Sequence, residues 1–111
     1  MNDDDRWRLG HMADYLRSAM NFVRDRQRDD LDNDKMLVLA LMRAIEVVGE
    51  AASKVSAEGR AELPDLPWPE VIGMRNRLVH AYFSVDLDIL WDTVTAAVPP
   101  LAERISEFLN N

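Results

Sequence analysis

The sequence predicts an all-α protein, an antiparallel four-helix bundle whose last helix is kinked or broken. Three observations carry that prediction. Apolar residues recur at spacings of three and four in several long segments, the mark of a helix that buries one stripe. Only four glycines occur in 111 residues, and no stretch alternates apolar and polar positions as a half-buried strand would. The connections between the periodic segments are short, which favours antiparallel neighbours. The 111 residues suit a single domain spanning 1–111, and a chain of this length buries about two thirds of its unfolded surface.

The first helix is expected from about Asp4 to Arg26, with Leu9, Met12, Leu16, Ala19, Phe22 and Val23 as its stripe. The acidic run Asp3-Asp4-Asp5 supplies caps and suits the positive end of the helix dipole. The polar stretch Arg26 to Asp34 reads as a solvated loop, with Asn33 or a neighbouring Asp capping the next helix. It lacks the Gly turn and terminal bidentate Glu of a calcium loop. The second helix is expected from about Asp34 to Lys54. Its run Met36 to Met42 is apolar throughout, so this helix is expected to be central or to lie against a partner subunit. Residues Ser56 to Pro67 read as a connection broken by Gly59, Pro64 and Pro67. A third helix is expected from Trp68-Pro69 to about Ala81. The fourth starts near Ser84 or Asp86, carries Leu87, Leu90, Val94, Val98, Leu101, Ile105 and Phe108, and is interrupted at Pro99-Pro100.

Composition narrows the function classes. There is no cysteine, which excludes disulfides, thiolate metal sites and cysteine nucleophiles. No apolar run reaches the roughly 20 residues that span a bilayer, and the acidic start is unlike a signal peptide. A cytoplasmic protein without membrane partners is expected. Its formal net charge of -7 opposes long-range attraction to nucleic acid. Yet 11 of the 13 basic residues are Arg, the better residue for bidentate contacts to phosphate.

The local exception to the acidic whole is the stretch from Gly73 to Phe83. Arg75, Asn76, Arg77, His80 and Tyr82 fall close together with no acid among them. On a continuous helix Asn76 and His80 share a face, whereas Arg75 and His80 lie about 140° apart. Arg75 then has to reach round, or the helix has to end near His80. These residue types fit metal-independent RNA cleavage, which needs an acid–base group and a cation for the phosphorane charge. One such His per chain is too few for both proton transfers, so a symmetric dimer is required. The competing structural reading is that Arg43, Arg75 or Arg77 pairs with Glu46 or Glu50 on the apolar second helix, where a carboxylate needs a partner. His11 reads as a surface or half-buried residue. The scattered Trp7, Trp68 and Trp91 read as core or interface rather than as a base-stacking platform.

The stretch Arg75 to Tyr82, Arg-x-x-x-x-His-x-Tyr, resembles the signature of HepT-like toxins of the HEPN superfamily. Arg43-Ala44-Ile45-Glu46-Val47-Val48-Gly49-Glu50-Ala51-Ala52 is similar to the family's second-helix motif. Pro67-Trp68, Gly73-Met74-Arg75-Asn76, Tyr82 to Asp86 and Trp91 extend the likeness. The resemblance implies a homodimeric endoribonuclease acting on RNA, with tRNA as one candidate, without metal or cofactor. It implies Arg75 and His80 as the catalytic pair and Asn76 as an assisting residue. It also implies the toxin of a type II pair whose antitoxin, a minimal nucleotidyltransferase, transfers AMP to Tyr82. Family members often carry Asp between the His and the Tyr; this chain has Ala81. A non-catalytic nucleotide-binding or partner subunit of a nucleotidyltransferase is the alternative.

Overall fold

The computed structural model describes residues 1–81 and 84–111. It is an all-α bundle built on three long helices, α1 (Asp3–Phe22), α3 (Lys35–Ser53) and α7 (Val98–Leu109). Short helices join them: α2 (Asp30–Asn33), α4 (Ala57–Ala61), α5 (Trp68–Ile72) and α6 (Leu87–Asp92). Helix α1 packs against both α3 and α7. Its stripe of Leu9, Met12, Leu16 and Ala19 meets Leu41, Ile45 and Val48 of α3 and Val98 and Ile105 of α7 in one core. The central element is thus α1. Helix α3, apolar nearly all round, leaves Met36 82 % and Leu39 57 % exposed on its outer side.

The helix ends follow local chemistry. Asn2, not the Asp run, caps α1: its side chain accepts from the Asp5 backbone N–H at 2.7 Å. Asp3 and Asp4 remain in the first turn beside the dipole's positive end. Asp5 is buried and turns to α4, where its carboxylate accepts from the Ser56 hydroxyl and the Ser56 N–H at 3.0 Å. Gly59 makes room for it; a Cβ there would stand 2.5 Å from Asp5 Oδ2. Helix α1 stops at Phe22, short of Arg26, because no apolar position follows Val23 and Asp25 adopts the left-handed φ of 60°.

The stretch expected as a solvated loop contains the single turn α2, which puts Leu31 into the core. Arg26 holds it in place through Asp30 and Asp34 at 3.3 and 2.8 Å. Asp34 also caps α3, accepting from Leu37 N–H at 3.0 Å. The connection 56–67 likewise contains a helix, α4, capped by the Ser56 hydroxyl.

The third segment differs most from expectation. Helix α5 ends at Ile72, not near Ala81. Gly73 closes it, donating to Pro69 O at 3.0 Å. A tight 3-10 turn follows over Arg75–Arg77, then an antiparallel pair of short strands, β1 (Val79–Ala81) and β2 (Ser84–Val85). No strand is expected from the sequence. The pair forms because Leu78 is fully buried and fixes the chain there, and Asp86 N–H closes the hairpin on Leu78 O at 2.7 Å. In the last segment the expected interruption lies just ahead of Pro99-Pro100, as a widened π turn over Thr93–Ala97. The two prolines have no N–H to give to the preceding turn, so the ladder loosens before them. Among the described residues no helix is long and apolar enough to cross a membrane.

Candidate active site

The sequence stretch with the densest functional groups exposes Arg75, Asn76, Arg77 and His80, between the end of α5 and the start of β2. Its placement begins with Gly49. This buried residue of α3 lets α5 approach so closely that a Cβ would lie 3.1 Å from Ile72 O. The close approach sets the following 3-10 turn beside α3. Arg75 Nε there lies 3.5 Å from Glu46 Oε2, and Glu46 Oε1 accepts from Arg43 Nη1 at 2.8 Å. A chain Arg43–Glu46–Arg75 therefore crosses from helix to turn.

Its energetic weight is small. The side chains of Arg75 and Glu46 are 47 % and 36 % exposed, and exposed pairs contribute about 0–1 kcal/mol. The pairing aligns Arg75 more than it stabilises the fold. Among the described residues no partner occupies the terminal nitrogens of its guanidinium. Arg75 and Asn76 together line an open cleft of about 320 Å³ with Ile45, Glu46, Glu50 and Ile72.

Arg77 does not reach the α3 carboxylates. It turns to the other side, donates to Glu70 O at 3.4 Å and edges a separate cleft against α7. Nor do Asn76 and His80 share a helical face, because the helix has already ended: Asn76 is in the 3-10 turn and His80 in β1. His80 is exposed, and its Nε2 lies 3.1 Å from Asp86 Oδ2. Asp86 also caps α6, its Oδ1 accepting from Ile89 N–H at 3.0 Å. These contacts hold the Asp86 carboxyl below the usual carboxylate range, the Ile89 N–H first and His80 second. From the sequence Asp86 is expected only as one of two candidate caps, with Ser84 the other. The one available signal was its spacing of six residues from His80 across a hairpin that was not expected. Tyr82 lies outside the described residues. Among the described residues no three His, Asp or Glu side chains are arranged to hold a metal ion.

A second surface lies next to the first. Trp7 on α1 is 63 % exposed and tilts against the ring of His11 at 4.1 Å. Both face Val47, Glu50 and Ala51 of α3 across a shallow cleft. Tyr15 and Phe22 of α1 and Met36 and Leu39 of α3 are further exposed large apolar residues. Trp68, in contrast, is buried and donates to Leu63 O at 3.0 Å, with the Arg60 guanidinium over its ring at 5.7 Å.

The fold and this surface define a class: a small helical bundle that presents Arg, Asn and His on an irregular segment between its helices. Comparison with known proteins narrows it. Residues 12–108 match the family described as ribonuclease HepT-like, and the chain belongs to that family. A Thermococcus cleftensis protein named "Probable ribonuclease HepT" is 36% identical over 99 residues, covering 89% of this chain and 90% of its own. A Methanocaldococcus jannaschii protein, named as a candidate RNase, is 36% identical over 97 residues, 85% of this chain and 89% of its own. A third, from Caldanaerobacter subterraneus and similarly named, is 32% identical over 101 residues, with 91% and 90% covered. No solved structure gives a significant match.

Proposed function

We propose that the chain is a metal-independent endoribonuclease and the toxin of a type II toxin–antitoxin pair, acting in the cytoplasm. The observation that carries this reading is the exposed Arg75–Asn76 turn with an exposed His80 on the short strand that comes next, in a member of a ribonuclease family. His80 takes the proton of a ribose 2′-hydroxyl. The 2′-oxygen then attacks the adjacent phosphorus, and the P–O5′ bond breaks. Arg75 balances the added negative charge of the phosphorane, with Asn76 assisting at a phosphate oxygen. The leaving 5′-oxygen takes its proton from His80 of the partner subunit. The products are a 2′,3′-cyclic phosphate and a 5′-hydroxyl, and no metal-bound water is consumed.

The need for a second imidazole makes the working form a homodimer. The apolar side chains left exposed on α1 and α3, Met36 and Leu39 foremost, supply a face for it, adjoining the Arg43–Glu46–Arg75 chain. A nucleotidyltransferase antitoxin would silence the enzyme by adding AMP to Tyr82. The bulk and negative charge of that group, two residues from His80, compete for Arg75.

The test is cleavage of RNA, tRNA included, by purified protein in the presence of chelator. Wild type is expected to cut, and Arg75→Ala and His80→Ala to be inactive. Cleavage that survives both substitutions overturns the assignment. A mass gain of AMP units on incubation with the cognate transferase and ATP, without cleavage by the free protein, would instead favour a non-catalytic partner role.

A further inference from the structure

We propose that Asp86 is the positioning residue for His80, fixing the orientation of its ring and leaving Nδ1 as the nitrogen that exchanges protons with RNA. This rests on the reading of His80 as the acid–base group, and it assigns a carboxylate that the sequence does not place beside that residue.

The geometry runs from the backbone outward. Asp86 N–H donates to Leu78 O at 2.7 Å, and Leu78 is fully buried, so the backbone of Asp86 is tied to the core. Its Oδ1 accepts from Ile89 N–H at 3.0 Å. The carboxylate is therefore held at both its root and one oxygen, with the other oxygen 3.1 Å from His80 Nε2. The side chain of Asp86 is 28 % exposed against 63 % for His80. The more buried, doubly anchored group sets the position, and the exposed ring follows it.

A carboxylate only accepts hydrogen bonds, so the ring nitrogen facing it must carry a proton. Neutral His80 is then the Nε2–H tautomer, and its lone pair is on Nδ1. As imidazolium it holds its transferable proton on the same Nδ1. One nitrogen thus serves both as base and as acid, while the other stays with Asp86. Position 81 holds Ala, so no carboxylate neighbours His80 in sequence on that side. Asp86 supplies one across the hairpin. Arg75 is engaged by Glu46, on α3, so the two catalytic candidates are aligned by separate carboxylates on separate elements.

Asp86→Asn separates this role from capping. Asn caps helices as well as Asp does, and the backbone bond to Leu78 is untouched. The amide cannot offer acceptors to both Ile89 N–H and Nε2. The melting temperature is expected to stay near that of wild type, with kcat down about tenfold to a hundredfold and KM little changed. Combining it with His80→Ala is expected to add no further loss. The second readout needs no activity. With ¹⁵N-labelled histidine, and His11 removed by His11→Gln, the ring nitrogens of His80 at alkaline pH are expected to report the Nε2–H tautomer in wild type. A mixture is expected in Asp86→Asn. An unchanged tautomer, or an unchanged kcat in an active enzyme, overturns the proposal. A protein that cuts no RNA but shows the tautomer change keeps the Asp86–His80 coupling and sinks the ribonuclease reading alone.

Discussion

The frame of α1, α3 and α7 and the segment from Gly73 to Asp86 are held together by different physics. The frame is stabilised by burial: Leu9, Leu41 and Ile105 are completely inaccessible to water. The segment is almost the reverse. Arg75, Asn76, Arg77 and His80 are all exposed; among the described residues Met74 and Leu78 are buried in the core, and Val79 and Val85 pack partly buried against it. Directed contacts shape the rest, through Gly49, Glu46 and Asp86. Chemistry at the surface and stability in the core are therefore separable, and substitutions should divide into two groups accordingly.

The sharpest division is expected from His80→Ala. It should lower RNA cleavage about 100-fold or more while leaving stability within about 0.5 kcal/mol, as for an exposed site, measured by cleavage rate and urea melt on one preparation. The opposite pattern belongs to Leu41→Ala, which deletes a fully buried side chain. A loss of about 2–5 kcal/mol is expected, with cleavage near wild type wherever the variant is still folded. A variant pair that failed to separate in this way would break the comparison.

A smaller effect on the frame is expected from Gly59→Ala. The added methyl would meet Asp5 Oδ2 at 2.5 Å and Val55 Cγ1 at 3.0 Å. Overpacking of this kind costs about 1–3 kcal/mol, to be read from denaturant midpoints. The same junction carries a pH dependence. Hydrogen bonds from the Ser56 hydroxyl, and next from its N–H, hold the Asp5 carboxyl below its ordinary value of 3.8. A carboxyl whose folded value is depressed stabilises the fold above its unfolded value. That contribution is lost as pH falls below about 4 and toward the folded value. Asp5→Asn should therefore melt earlier than wild type at neutral pH, and the gap should close in acid. A gap that stays constant with pH would remove the charge from the explanation. The last effect concerns assembly rather than folding. Leu39→Glu on the exposed side of α3 is expected to yield a folded monomer by sedimentation, with a melting temperature that no longer rises with protein concentration.

The same comparison explains what could be read from the sequence. The frame was legible because a helix that buries one side must repeat its apolar residues every three or four positions, as Leu9 to Ala19 do. The caps were legible as a short choice, Asn33 or a neighbouring Asp before α3 and Ser84 or Asp86 before α6, because a short acceptor before a periodic run has few other uses; the structure selects Asp34 and Asp86. The segment was not. Strands of three and two residues are too short to show alternation, and Leu78 marks a buried position in a helix and in a hairpin alike. The residues of the signature were visible by type, but their neighbours were not. That Glu46 would take Arg75 and leave Arg77 to the far side depends on how closely α5 approaches Gly49. That Asp86 would face His80 depends on a hairpin the pattern does not announce. Trp7 shows the limit from the other direction: its residue type suggests core or interface, and the structure excludes the core by placing it on the surface.

If His80 and Arg75 promote attack by the RNA's own 2′-hydroxyl, the chemistry of the cut ends records it. RNA digested by the purified protein in chelator is expected to carry 2′,3′-cyclic phosphate and 5′-hydroxyl termini. Ends bearing 3′-hydroxyl and 5′-phosphate, with cutting abolished by chelator, would contradict it.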